Sequence, residues 1–78
     1  MVLLFYNNNV GGNKMNLQRL KELRLEHGYT QQQLATHMDM SQTTYSDKEK
    51  GKTPFTIPEF EKLHKFLGEE VLELLELQ

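Results

Sequence analysis

The 78-residue chain contains no cysteine. Disulfide staples and thiolate-held metal are thereby excluded, and the absence fits a cytoplasmic protein. No apolar run approaches the roughly 18 residues needed to cross a membrane. Charge of neither sign dominates: nine Lys or Arg against eleven Asp or Glu leave a formal net charge of −2. That excludes a protein that coats nucleic acid by bulk positive charge, but not one that reads it through a local basic face. There is no internal repeat and, after residue 15, no strand-like alternation. The marks of catalysis are missing too. No His-Glu pair stands at zincin spacing, no Ser sits in a nucleophile elbow, and no glycine loop can cradle a phosphate. His27, His37 and His64 fall in three separate predicted helices without ligand spacing, so neither a metal nor another cofactor is expected.

What charge there is lies unevenly. Residues 69–78 hold four glutamates and no basic residue. Residues 15–68 hold eight Lys or Arg against seven acids, and three of those lysines fall between Lys48 and Lys52. A chain this short is one domain at most and must use its core efficiently.

Residues 1–14, MVLLFYNNNVGGNK, stand apart. The apolar stretch Val2 to Tyr6 is too short for a signal-peptide core, and no basic segment precedes it. The Asn run and Gly11-Gly12 favour turns and disorder. Glycine codons begin with two guanines, so this pair lies where a ribosome-binding sequence would precede a start at Met15. Residues 1–14 then read as a translated leader, and residues 15–78 as the working domain. A short strand that pairs with a partner, or a disordered tail, are the alternatives.

Five helices are predicted from Asn16 onward. Leu17, Leu20 and Leu23 recur at helical spacing, and Gly28 supplies a left-handed stop for a helix over 16–27. Thr30 and Gln33 form a capping box ahead of Leu34, Ala35 and Met38. That helix ends near His37 at a tight turn through Asp39, a residue type that tolerates the left-handed conformation. Ser41 caps a third helix over 42–50, and Gly51 stops it. This helix is unusually polar, Tyr45 being its one clearly apolar side chain, so it is expected to face solvent or a polar partner. Thr56 and Glu59 make a second capping box for a helix with Ile57, Phe60, Leu63 and Leu67 on one face. A last helix is read over 69–77.

The second and third helices are short, each begins at a hydroxyl cap, and a tight turn joins them. That is helix-turn-helix geometry, with Ala35 small enough for two helices to cross closely. A polar third helix is what the DNA major groove requires.

From Arg24 to Lys52 the chain resembles the Cro/C1-type, or XRE-type, helix-turn-helix family. Arg24, Gly28, Thr30-Gln31, Leu34-Ala35, Ser41, Tyr45-Ser46, Glu49 and Gly51 match the family pattern in order and spacing. The resemblance extends over about Asn16 to Leu75. It implies an all-α, five-helix fold of the lambda-repressor type and a transcriptional regulator that binds double-stranded DNA. It implies that Gln42, Thr43, Thr44 and Asp47 face base edges. Gln31, Ser46, Lys48, Lys50, Lys52 and Thr53 would face phosphates, and an Arg24–Glu49 ion pair would join the first helix to the third. Two positions depart from the pattern. Asp39 occupies a turn position commonly held by glycine. Lys48 stands where an aliphatic core residue is common, so its stem is expected along the core edge with the ammonium in water.

Each role has a plainer reading. Gln31 is also an ordinary helix-start residue, and Gln42 and Thr43 are also ordinary surface polars. Tyr45 reads first as a core anchor, with a phosphate contact by its hydroxyl as the alternative. Arg24–Glu49 reads as a structural pair, worth little if partly exposed. One such domain buries too little surface for specific binding alone, so a homodimer is expected, with Leu67, Leu72 and Leu75 as its contact. The rival function is an antitoxin or other protein-interaction module of the same fold. Its partner would be a toxin protein, met by the acidic, leucine-rich end.

Overall fold

The computed structural model describes residues 4–6 and 13–77. The Asn run and Gly11-Gly12, central to the leader reading, lie outside them. Four α-helices carry the fold: α1 (Leu17–Glu26), α2 (Gln31–His37), α3 (Gln42–Glu49) and α4 (Ile57–Leu67). A 3-10 helix, Glu69–Leu74, follows. Four short strands accompany them: β1 (Leu4–Tyr6), β2 (Asn13–Met15), β3 (Phe55–Thr56) and β4 (Leu75–Leu77).

Local sequence accounts for each helix start. Asn16 accepts from the Arg19 N–H at 3.0 Å, and Ser41 accepts from the Thr44 N–H at 3.1 Å. Both predicted capping boxes form. Thr30 accepts from the Gln33 N–H while Gln33 accepts from the Thr30 N–H. Thr56 and Glu59 exchange the same two bonds. A cap of this kind contributes about 1 kcal/mol. Gly28 closes α1 at φ 81°, and Asp39 holds the α2–α3 turn at φ 60°. A Cβ added at Gly28 would meet nothing within 4 Å, so its requirement is one of backbone conformation rather than of space.

The core is a single cluster. Leu20 and Leu23 of α1, Leu34 and Ala35 of α2, Tyr45 of α3 and Leu63 of α4 are fully buried. Met15, Phe55, Val71 and Leu74 close it from the short elements. Ala35 of α2 is 0 % exposed within this cluster.

The expected fifth helix is present, but it is a 3-10 helix that ends at Leu74 rather than Leu77. Val71 and Leu74 are buried and Leu72 is 49 % exposed. Apolar positions three apart match the three residues per turn of a 3-10 helix. The chain then extends as β4, pairing antiparallel with β2 so that Asn13, Lys14 and Met15 face Leu77, Glu76 and Leu75. The Asn16 N–H continues the link to the Leu74 carbonyl at 2.7 Å. β1 pairs antiparallel with β3. These strands are two or three residues long, too short to leave an alternating pattern, and their partners lie far away in sequence.

Candidate nucleic-acid interface

α3 has two unlike faces. Gln42, Thr43 and Thr44 are exposed, and Ser46 and Asp47 are half-buried. Tyr45, Lys48 and Glu49 are buried. The outer face is therefore available to a polar partner, while the inner face is anchored in the molecule. The side chains of Gln42 and Thr43 make no hydrogen bond among the described residues. The Thr44 hydroxyl accepts from Ser41 Oγ at 3.0 Å, which ties it to the cap.

The anchor centres on Glu49. One carboxylate oxygen accepts from Arg24 Nε at 2.9 Å and from the Tyr45 hydroxyl at 2.6 Å. The other accepts from Arg24 Nη2 at 3.2 Å and from Gln31 Nε2 at 3.0 Å. Arg24 Nη1 donates to the Tyr29 carbonyl at 2.9 Å. One carboxylate thus joins α1, α2 and α3. The expected Arg24–Glu49 pair is present, but it is buried, with side-chain exposures of 6 % and 5 %. The low value assigned to an exposed pair does not apply. Losing one partner of a buried pair strands the other charge away from water. Among the described residues, every buried side-chain nitrogen and oxygen has a partner.

Burial pushes the Glu49 carboxyl up, but the hydrogen bonds from Arg24, Tyr45 and Gln31 outweigh it and hold the group below the usual glutamate range. Burial and the adjacent carboxylate together push the Tyr45 phenol well up. Burial lowers the Arg24 guanidinium, and contact with Glu49 more than restores it.

Three predicted sites take on a different aspect. Lys48 was expected to hold its ammonium in water beside DNA. Instead Nζ donates to the Pro54 carbonyl at 2.8 Å and pairs with Glu59 at 3.0 Å, with the side chain 11 % exposed. The carbonyl and carboxylate lie within its reach, and a buried cation without such partners would be costly. Lys48 belongs to the scaffold between α3 and α4. The Tyr45 hydroxyl meets Glu49, not the outer surface. Gln31 stays half-buried, with its amide on Glu49.

The other sites remain on the surface. Lys50, Lys52 and Thr53 are exposed, and Lys52 lies 4.0 Å from Asp47. Two clefts run between α1 and the ends of α3, one bordered by Gln42 and the other by Lys50. The larger, of about 590 Å³, is lined by Lys21, Gln31 and Gln42 among others. The smaller, of about 280 Å³, is lined by Leu17, Gln18, Lys21, Gln31, Glu49 and Lys50. Lys21 and Gln31 therefore border both. Lys21 was not singled out from the sequence. The available signal was its place one turn before Arg24, on the same side of α1.

This arrangement, a capped α2, a left-handed turn, and an α3 anchored inside and open outside, agrees with the comparison against family models. The helix-turn-helix model matches residues 20–74, well over half of the chain. The chain belongs to the Cro/C1-type helix-turn-helix family. Neither the curated proteins nor the solved structures contain a match to it. Family membership makes it a DNA-binding helix-turn-helix regulator in general, within a non-enzymatic domain family. No helix among the described residues is long and apolar enough to cross a membrane.

Proposed function

We propose that this helix-turn-helix protein is a repressor-like transcriptional regulator that occupies a two-fold symmetric operator as a homodimer. The observation that carries this reading is the division of α3. Gln42 and Thr43 stand exposed without partners on its outer face, while Tyr45, Lys48 and Glu49 fasten its inner face. A helix held in this way enters the major groove with fixed register. Gln42 suits adenine, whose N6 and N7 match a side-chain amide, and Thr43 and Thr44 reach neighbouring base edges. Asp47 accepts from cytosine N4 or selects against other bases. Gln31, Ser46, Lys50, Lys52 and Thr53 hold phosphates along the backbone. The protein works in the cytoplasm, where its operator is.

The dimer surface is narrower than expected. Leu67 is 1 % exposed and belongs to the core. Leu72 remains, with the half-buried Leu75 beside it. The exposed Leu72 among Glu69, Glu70 and Glu73 also suits the second reading, an antitoxin that docks a toxin protein through this end.

Selection of duplexes from a random library by the purified protein tests the proposal. A palindrome with half-sites about one helical turn apart is expected. A single asymmetric half-site would overturn the dimer. Absence of duplex binding even at low salt would favour the protein-partner reading.

A further inference from the structure

The first residues of the chain hold the domain at two places. β2 runs antiparallel to β4, with Asn13, Lys14 and Met15 facing Leu77, Glu76 and Leu75. The N–H of Asn16, the cap of α1, donates to the Leu74 carbonyl at 2.7 Å. Hydrogen-bonded and non-bonded pairs alternate along an antiparallel ladder, so Lys14 and Glu76 form the next bonded pair. At the second place β1 runs antiparallel to β3, with Leu4 facing Thr56 and Tyr6 facing Phe55.

β3 is the link between α3 and α4. Phe55 is 1 % exposed, its ring stands 6.3 Å from the Tyr45 ring, and Thr56 caps α4. The residue before it, Pro54, receives the Lys48 ammonium. β1 therefore pairs with the segment that ends the loop carrying Lys52 and Thr53. On the other side Met15 is 2 % exposed and belongs to the core cluster. A chain that began at Met15 would lose β1 and all of β2 but its last residue. It would also carry a charged α-ammonium on a core residue, and that charge is costly away from water.

We propose that β1 and β2 are a strap built into the domain, and that a chain started at Met15 is a loosened form with a weaker hold on DNA. Residues 13–15 are then part of the fold rather than the end of a leader. The choice between Met1 and Met15 becomes a means of regulation, because one product carries the strap and the other lacks it. The loosening falls at β3 and at the chain end, where the strap makes its pairs. The α2–α3 turn keeps its own caps and its tie through Glu49. The effect on DNA rests on the DNA-binding reading given above; the strap itself does not.

Two full-length variants test the strap. Lys14→Pro removes an N–H from the ladder, whereas Asn13→Pro changes a position whose N–H points away from β4. Thermal unfolding and amide exchange at Asn16 are measured for both variants and for the unaltered chain. Lys14→Pro is expected to lower the Tm by about 5 °C and to speed Asn16 exchange about tenfold. Asn13→Pro is expected to change neither. The strap is overturned if the two prolines act alike, or if Asn16 exchanges at the unprotected rate in the unaltered chain. A chain of residues 15–78 tests the regulation. It is expected to fold with a lower Tm than Lys14→Pro and to bind the selected duplex about tenfold more weakly than the full chain, as a less populated competent state requires. Failure to fold would overturn the claim of a second working form, and an affinity equal to that of the full chain would overturn its regulatory role. Failure of the unaltered chain to bind any duplex would overturn the DNA-binding reading, and it shows before any variant is made.

Discussion

Gln31 Nε2 donates to Glu49 Oε1 across 3.0 Å and so fastens the first residue of α2 to the last residue of α3. The two helices of the motif are joined at this polar contact, and both also send buried side chains, Leu34 and Ala35 from α2 and Tyr45 from α3, into one core. Arg24 and Tyr45 converge on the same carboxylate, so the orientation of the outer face depends on one buried acid.

Substitution of that acid is expected to be severe. Glu49→Ala leaves the Arg24 guanidinium buried without its counter-ion, which costs about 3–5 kcal/mol. Urea unfolding measures the loss. Glu49→Gln, which keeps an acceptor at the same place, is expected to cost less.

The same group sets an acid limit. The folded-state pKa of Glu49 lies below the ordinary value of 4.5 because its hydrogen bonds outweigh its burial. The carboxylate's contribution to stability is therefore fully present above that ordinary value. It is lost as pH falls through the lower folded-state pKa. Thermal unfolding measured from neutral pH into this acid range is expected to show the loss. Glu49→Gln is expected to flatten that part of the curve.

Lys48 and Lys50, two residues apart, are expected to behave oppositely. Lys48→Ala removes the bonds to Pro54 and Glu59 and lowers stability. Where the variant stays folded, the salt dependence of DNA binding is unchanged. Lys50→Ala leaves stability nearly unaltered and makes the salt dependence shallower, by a slope of about 0.9 for one phosphate lost. Unfolding curves and salt titrations of the two variants decide it.

Gln42→Ala is expected to weaken binding to the best duplex by about 1–3 kcal/mol and to relax preference at one base pair. Lys50→Ala instead weakens all sequences nearly equally. Titration of both variants against a set of single-base-substituted duplexes separates the two effects. Equal losses with unchanged selectivity in both would contradict the assignment of Gln42 to bases.

The parts legible in the sequence were the local ones. Thr30 with Gln33, and Thr56 with Glu59, announce their helices because cap and capped groups lie within four residues. Gly28 and Asp39 mark turns because few residue types accept their backbone conformation. The polarity of residues 42–50 pointed to an outer face for the same reason: helical periodicity is a local property. The fate of Lys48 was not local. Its partners, Pro54 and Glu59, come from the following loop and helix, and the direction of that loop decided that the ammonium would be covered. The pairing of β2 with β4 was not legible because the two meet from opposite ends of the domain.

The sequence by itself determined the helical order, the caps, the turn between α2 and α3, and the family to which these belong. Each follows from interactions spanning a few residues, which a linear pattern records. The tertiary structure alone decided which charges remain free. Whether a lysine is neutralised depends on what packs beside it: Pro54 and Glu59, from the next loop and helix, meet Lys48, and Asp39, twenty-three positions away, meets Lys62. Lys48 was withdrawn into the scaffold, and Lys21 of α1 came to line the same cleft as Lys50. The basic character expected at the end of α3 is therefore a cleft shared with α1, because packing and not sequence distance sets where charge meets charge.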